Sequence, residues 1–317
     1  MSPKSGRSVF GDFVCIRSKN EEKTMKEKKQ TSALVLTGLF TAIIIIMSVT
    51  PLGYIPLGVI NATIIHIPVI LGALYCGPKR GAFLGFVFGM TSFIKNTVAP
   101  ATLSAFVFSP VLAASQFGVA GVFKSAFICF VPRILVGVLP YFVYVLVRKL
   151  TTIRYSAVWM VLLNGLLSAL VGFGVRIFVF NTILSGHKDQ EGWDMAKVTG
   201  TYGVKVTVLA VVIAVILAAV LIVFTFKKSS MVLGLAYAGV SGAMTNTLLV
   251  MPSIYLLYKE AYAKATSVAM DQLVTVILGV ISFNGVIEAI VAAVLVTAVG
   301  GALVKVLPMH FTVKKEG

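Results

Sequence analysis

Acidic side chains are scarce: Asp and Glu together number 11 in 317 residues, against 27 Lys and Arg, and charged residues make up only 12%. A soluble domain of this size needs far more polar surface to cover its core. Cysteine is equally sparse. Cys15, Cys76 and Cys129 are an odd number without metal-ligand spacing, so they read as small hydrophobes or free thiols, not as a disulfide framework. No G-x-x-x-x-G-K-[S/T] occurs, so the chain carries no P-loop and is not itself an ATP motor. H-E-x-x-H and paired C-x-x-C are missing too, and with them the usual zinc sites. No metal or cofactor is expected.

What the chain has instead is apolar length. Hydrophobic residues make up 58% and the mean hydropathy is +0.98. From Thr31 to Pro78 there is no Asp, Glu, Lys or Arg, enough chain for two membrane crossings. Apolar runs bounded by basic or Pro/Gly clusters give about eight candidate transmembrane spans, near 32–50, 59–77, 81–95, 124–147, 156–183, 205–226, 231–257 and 271–304. All should be helices, because open strands leave unpaired backbone groups in lipid. The reading is an all-α polytopic membrane protein: a basic tail (1–30), a membrane domain (31–307) and a second tail (308–317).

The net charge of +16 does not point to nucleic acid, because its distribution follows topology. With the N-terminus cytoplasmic, the basic tail, Lys79 and Arg80, then Arg148, Lys149 and Arg154, Lys227 and Lys228, and Lys305, Lys314 and Lys315 all fall inside. Lys95, Lys124, Lys188, Lys197, Lys205, Lys259 and Lys264 fall outside. Every inside connection is short and basic, so both termini are expected in the cytoplasm of a cell-membrane protein. The first 30 residues lack a long apolar stretch with a cleavage site and do not read as a secretory signal. Met25 opens a short basic lead into the first span and is expected to be the translation start, the alternative being a disordered basic tail.

Two outside connections are uncharged. Residues 49–58 are punctuated by Pro51, Gly53, Pro56 and Gly58, and residues 96–123 are interrupted by Pro100 and Pro110. Apolar, broken segments suit a cover packed on the outer mouth of a helix bundle. Residues 184–204, with His187, Lys188, Asp189, Glu191, Asp194 and Lys197, read as a solvated loop. The spans on either side of it look like an added helical hairpin within 151–230.

Polar groups inside a membrane are expensive and therefore candidates for function. Rising 1.5 Å per residue from each cytoplasmic anchor, Arg133 lies about 23 Å up, Asn246 about 27 Å, Glu288 about 26 Å, Asn284 about 32 Å and His66 about 20 Å. With a hydrocarbon core of about 30 Å, all five sit in its outer half or at its boundary. Asn284 and Glu288 are four apart and share a helix face. Together they outline a ligand site opening outward. Other roles stay open: Arg133 and Glu288 pairing with each other, Asn246 joining helices, His66 bonded within the core. Asn164 reads as structural, and Arg176 as reaching the outer headgroups. Gly239-Val240-Ser241-Gly242 follows the G-x-S-x of rhomboid-type intramembrane proteases, but no later span supplies a histidine base; His310 lies past the last one. No enzyme activity is expected. Span one carries small residues four apart, Ala33 with Thr37 and Gly38 with Ala42, a pattern that lets another helix approach closely.

Several stretches resemble the substrate-binding S-components of energy-coupling factor (ECF) transporters. They are Ser32 to Ala42 behind its basic lead, Ala62 to Ile70, Gly77 to Gly81 through Phe88 to Ser92, Pro132 to Leu135, Thr245-Asn246-Thr247, and Asn284 to Ile290. The likeness covers 25–150 and 231–307. It implies a six-helix bundle, here with 151–230 as an inserted two-helix hairpin, and an outward-facing vitamin site capped by the first and third connections. It also implies that Ala33, Thr37, Gly38 and Ala42 contact a transmembrane scaffold subunit whose two partner ATPases supply energy. The motif-rich first half is most similar to members assigned to pantothenate, whose carboxylate would meet Arg133 and whose amide and hydroxyls would meet Asn246 and Asn284. Riboflavin is the alternative vitamin, with Tyr54, Phe106 and Phe108 as an aromatic slot. Two other classes stay open: a gradient-driven secondary transporter using Glu288 as coupling carboxylate, and a membrane scaffold without a ligand.

Overall fold

The computed structural model describes residues 30–56, 61–100, 103–187, 194–266, 268–270, 272–307 and 309–310. The basic lead with Met25 and Cys15, and the loop residues 188–193, lie outside that set. The described residues form nine α-helices: α1 Gln30–Val49, α2 His66–Cys76, α3 Pro78–Val98, α4 Pro110–Val136, α5 Leu139–Leu150, α6 Ser156–His187, α7 Met195–Lys227, α8 Ser230–Thr266 and α9 Leu273–Leu303. Between α1 and α2 lie a 3-10 turn, Pro51–Gly53, and two short antiparallel strands, β1 Tyr54–Pro56 and β2 Asn61–Thr63, with Tyr54 opposite Thr63.

Six segments are long and apolar enough to cross a bilayer: α1, α4 with α5 as Pro110–Leu150, α6, α7, α8 and α9. Helix α2, at 11 residues, spans only about 16 Å. The second expected span is therefore shorter than its apolar run, because residues 61–63 are drawn into strand β2 and the helix begins at His66, with Pro68 in its first turn. Helix α3 has the length but carries Lys79, Arg80 and Lys95. Expected span four is longer than its apolar pattern and is broken inside it. Ser109 caps the start by accepting a hydrogen bond from the Leu112 N–H at 3.2 Å, Pro110 stands at the first helical position, and the helix bends at Gly118, where φ is +62°. Much of 96–123, expected to be irregular, is thus helical. The loop expected at 184–204 is likewise shortened, since Asp194 caps α7 by accepting from the Ala196 N–H at 2.9 Å.

The core sits where α2 is enclosed by α1, α3, α5, α8 and α9. Ile44, Val69, Ile70, Leu84, Val136, Leu235 and Val296 are fully buried there. Glycines bring helices into backbone contact at two places that matter for the site. A Cβ at Gly81 or Gly137 would overlap the other's carbonyl, and one at Gly85 would overlap the Arg133 carbonyl. Helix α3 can therefore lie against the very turn of α4 that carries Arg133.

The hairpin α6–α7 packs along one side, with α6 between α7 and α9. Its apolar faces meet lipid, as Val208, Val212, Val215 and Phe226 show. Asn164, buried, and Arg176, exposed, are both bonded to neighbouring helices. Asn164 Nδ2 donates to Thr225 Oγ1 at 2.8 Å, and the Tyr237 hydroxyl of α8 donates to Asn164 Oδ1. Arg176, expected at the headgroups, donates through Nε to Thr207 Oγ1 of α7 at 3.0 Å.

The glycine contacts lead to a stability prediction. Gly81→Val should destabilise by about 1–3 kcal/mol through overpacking against Gly137. Gly165→Ala, where a Cβ meets open space, should hold or raise the melting temperature, because Ala favours helix by about 1 kcal/mol. Thermal unfolding in detergent compares the two.

Candidate ligand site among α2, α4, α8 and α9

Arg133 is placed by the proline before it. Pro132 lies inside α4 and has no N–H, so the Ile128 carbonyl one turn back has no backbone donor. The Arg133 guanidinium takes that role, donating from Nη1 to the Ile128 oxygen at 2.6 Å. The side chain is thereby folded inward, and only 6% of it is exposed. Phe108 and Phe88 flank it, their ring centres 4.9 and 5.7 Å from the guanidinium carbon. Aromatic faces attract a cation while excluding water. Arg133 also lies within electrostatic reach of Glu288.

Glu288, equally buried, is held by two elements besides its own. One carboxylate oxygen accepts the Thr63 N–H of β2 at 2.9 Å, and the other accepts the Thr247 hydroxyl of α8 at 3.2 Å. Gly285, one turn earlier, lets α8 approach: a Cβ there would lie 3.1 Å from Met244 and 3.2 Å from Thr247. These contacts put Thr247, Gly285 and Glu288 at one depth, and with them the adjoining Asn246 and Asn284.

Both asparagines present a buried side-chain oxygen with no hydrogen-bond partner among the described residues, as do the two ring nitrogens of His66. His66 follows Thr63 by three residues at the start of α2 and is 1% exposed. Unpaired buried acceptors are rare in folded proteins because each forfeits its solvation. The Ser168 and Thr297 hydroxyls are also unpaired, but Thr297 lies nine residues further along α9 and Ser168 in the added hairpin. Arg133, Asn246, Asn284 and His66 thus offer a cation, two acceptors and an imidazole.

Above them lies an apolar cap. The 3-10 turn Leu103–Val107 sends Phe106 into a cluster with Tyr258, Ile254, Leu273 and Ile277 from the outer ends of α8 and α9. Phe106 and Tyr258 meet edge to face at 5.3 Å, and the Tyr258 hydroxyl donates to the Gly121 carbonyl at 2.8 Å. Phe106 is thus committed to packing, Phe108 to Arg133, and the Tyr54 side chain lies outside what is described.

The expected small-residue face of α1 divides. Gly38 has open space where a Cβ would sit and Ala42 is exposed, whereas Ala33 is half-buried. Thr37 faces inward, 6% exposed, its hydroxyl donating to the Ala33 carbonyl at 2.7 Å. One residue is 100° around a helix, so Thr37 and Gly38 do not share a face.

Pro132, Phe88, Thr63 and Thr247 were not picked out by depth and charge. Pro132 had a signal beside Arg133 in a helix interior. Thr63 acts through its backbone, which no side-chain pattern reveals.

The sequence model for "ECF transporter, substrate-specific component" matches residues 32–204, more than half of the chain. The chain belongs to this family. It is a multi-pass membrane transporter component and not an enzyme. The pantothenic acid transporter PanT of Lactococcus lactis subsp. cremoris is 32% identical over 197 residues, 60% of this chain and 92% of that protein. The pantothenate transporter PanT of Leuconostoc mesenteroides is 33% identical over 115 residues, 35% of this chain and 49% of that one.

The unpaired acceptors separate two roles. If Asn246 and Asn284 await a ligand, Asn246→Leu and Asn284→Leu remove a buried unsatisfied oxygen worth about 1–3 kcal/mol, so the ligand-free protein should melt no lower than the parent. A fall of several degrees would mean that the amides hold helices together.

Proposed function

We propose that this chain captures pantothenate outside the cell and delivers it inward after docking to an ATP-driven module. The observation that carries the reading is the pairing of a buried, aromatic-flanked Arg133 with unpaired buried acceptors on Asn246 and Asn284. Pantothenate is a carboxylate at one end, with an amide N–H and two hydroxyls along its length. The carboxylate suits Arg133, since charged hydrogen bonds are the strong ones. The N–H and O–H donors suit the asparagine oxygens. His66 supplies a further polar contact beneath β2. The names of the two relatives support the same vitamin. Riboflavin has no comparable support, because both relatives are named for pantothenate.

Lacking a P-loop, the chain depends on partners for energy. The partners that fit the family are a transmembrane scaffold subunit and two ATPase subunits. Gly38 and Ala42 form the proposed docking stripe, with Ala33 at its edge, and Thr37 supports it from within. The distribution of Lys and Arg supports a cytoplasmic position for both termini. The hairpin 151–230 is an insertion on a six-helix plan. The family match ends at residue 204 and runs through α6, so the insertion rests on the resemblance of the stretches on either side of the hairpin.

The test uses purified protein and two ligands, pantothenate and its alcohol analogue, in which a hydroxymethyl group replaces the carboxylate. The parent protein should prefer the acid, and Arg133→Ala should weaken the acid about ten- to a hundredfold while leaving the alcohol nearly unchanged. Equal loss of both ligands, or none, overturns the role of Arg133. Mass spectrometry of small molecules carried through gentle purification should find pantothenate. Uptake that persists without any ATPase module and collapses with the ion gradient would instead mark a secondary transporter.

A further inference from the structure

The hairpin α6–α7 reaches the back of the helix that carries Asn284. We propose that α6 is a strut that sets the position of Asn284, with Gly174 and Phe178 as positioning residues that act on the ligand through α9 without touching it. The proposal deepens the reading of the site above and rests on Asn284 being a ligand contact.

The stretch of α9 around Asn284 is weak on its own. Gly279-Val280-Ile281-Ser282-Phe283-Asn284-Gly285 joins two glycines to a serine, an asparagine and two β-branched residues, none of them a strong helix former. A Cβ at Gly279 would meet nothing within 4 Å, so packing beside that turn is open. Support comes from α6. A Cβ at Gly174 would lie 3.1 Å from the Ser282 Cβ, so the absence of a side chain lets the two helices meet closely. One turn further along α6, Phe178 stacks on Phe283, with ring centres 4.1 Å apart and planes 20° from parallel. At about 100° per residue, the direction midway between Ser282 and Phe283 is nearly opposite to that of Asn284, Gly285 and Glu288. The hairpin therefore holds the side of α9 that faces away from the site.

The base of the strut is fixed as well. Asn164, about 15 Å below Gly174 on the same helix, bonds to Thr225 of α7 and to Tyr237 of α8. Helix α8 also carries Asn246. Helix α6 thus ties the helix of one asparagine to the helix of the other, and both asparagines present a buried, unpaired oxygen. Hydrogen bonds weaken steeply with misalignment, so a small rotation of α9 would cost affinity without unfolding anything.

The test is a double-mutant cycle on purified full-length protein with radiolabelled pantothenate. Phe178→Ala should weaken binding about three- to tenfold, while Phe178→Tyr, which keeps the stacked ring, should stay within about twofold of the parent. In an Asn284→Leu background, Phe178→Ala should change Kd less than about twofold, because the group it positions is gone. An unchanged Kd in Phe178→Ala overturns the proposal. So does a loss of the same size in the Asn284→Leu background, which would mark a merely structural role. If Phe178→Ala does not fold, Phe178→Leu takes its place in the cycle. A second arm needs no ligand. In Gly174→Cys with Ser282→Cys the two Cβ atoms fall a few tenths of an ångström short of the roughly 3.5 Å at which disulfides begin, so mild oxidation should cross-link α6 to α9. Adding Phe178→Ala should slow cross-linking about tenfold, and an unchanged rate overturns the strut. Were the parent protein not to bind pantothenate, the cross-linking rate would still decide the strut, and only the vitamin assignment would fail.

Discussion

In a bilayer, a polar group that is not bonded within the protein has nothing else to bond to, and most of the arrangement described above follows from that. Pro132 leaves the Ile128 carbonyl without its usual donor, and Arg133 takes up that role. The same bond draws a guanidinium away from lipid and sets it between two rings. Helix α3 can lie alongside only because Gly85 stands where any side chain would collide with the Arg133 backbone. One missing N–H thus shapes a cation site, a helix contact and the aromatic wall around both.

The same constraint sorts the remaining intramembrane polar residues into two groups. Asn164, Arg176, Thr225 and Tyr237 are bonded to one another or to neighbours within and beside the hairpin. They are what the constraint demands of a helix pair that must stay together in lipid. Asn246, Asn284 and His66 retain unpaired atoms despite burial. Asn164 and Asn246 are the same residue type, and only their place along the chain set Asn164 apart as structural. Their difference lies in whether a neighbouring helix offers a partner.

Long apolar runs with basic ends made the membrane helices legible: α6 and α9 lie close to where composition puts them, whereas α7 starts and α8 ends well outside their apolar runs. The first half was harder to read. The apolar run at 59–77 gave no sign that residues 61–63 would pair as a strand, since Val, Ile and Thr suit both states and a short run has no decisive period. The start of α4 was legible in principle from Ser109-Pro110, a cap followed by the one helical position where proline fits well. It was obscured by Gly118, which bends the helix without ending it. Within the site, the charged residues and asparagines stood out because lipid makes them conspicuous. Thr63 did not, because its role belongs to a backbone N–H, nor did Thr247, an ordinary residue in a membrane helix.

The hairpin bears on the site through α8, where Tyr237 meets Asn164, and most directly through α9. Gly174 of α6 lies against Ser282, and Phe178 stacks on Phe283 with ring centres 4.1 Å apart. These contacts fall on the residues immediately before Asn284, on a different side of α9 from the one that meets α8 and β2. Helix α9 is therefore gripped from behind by the hairpin and from the front by Thr63 and Thr247. A helix held on two sides keeps Gly285 and Glu288 in fixed register with Thr247 of α8.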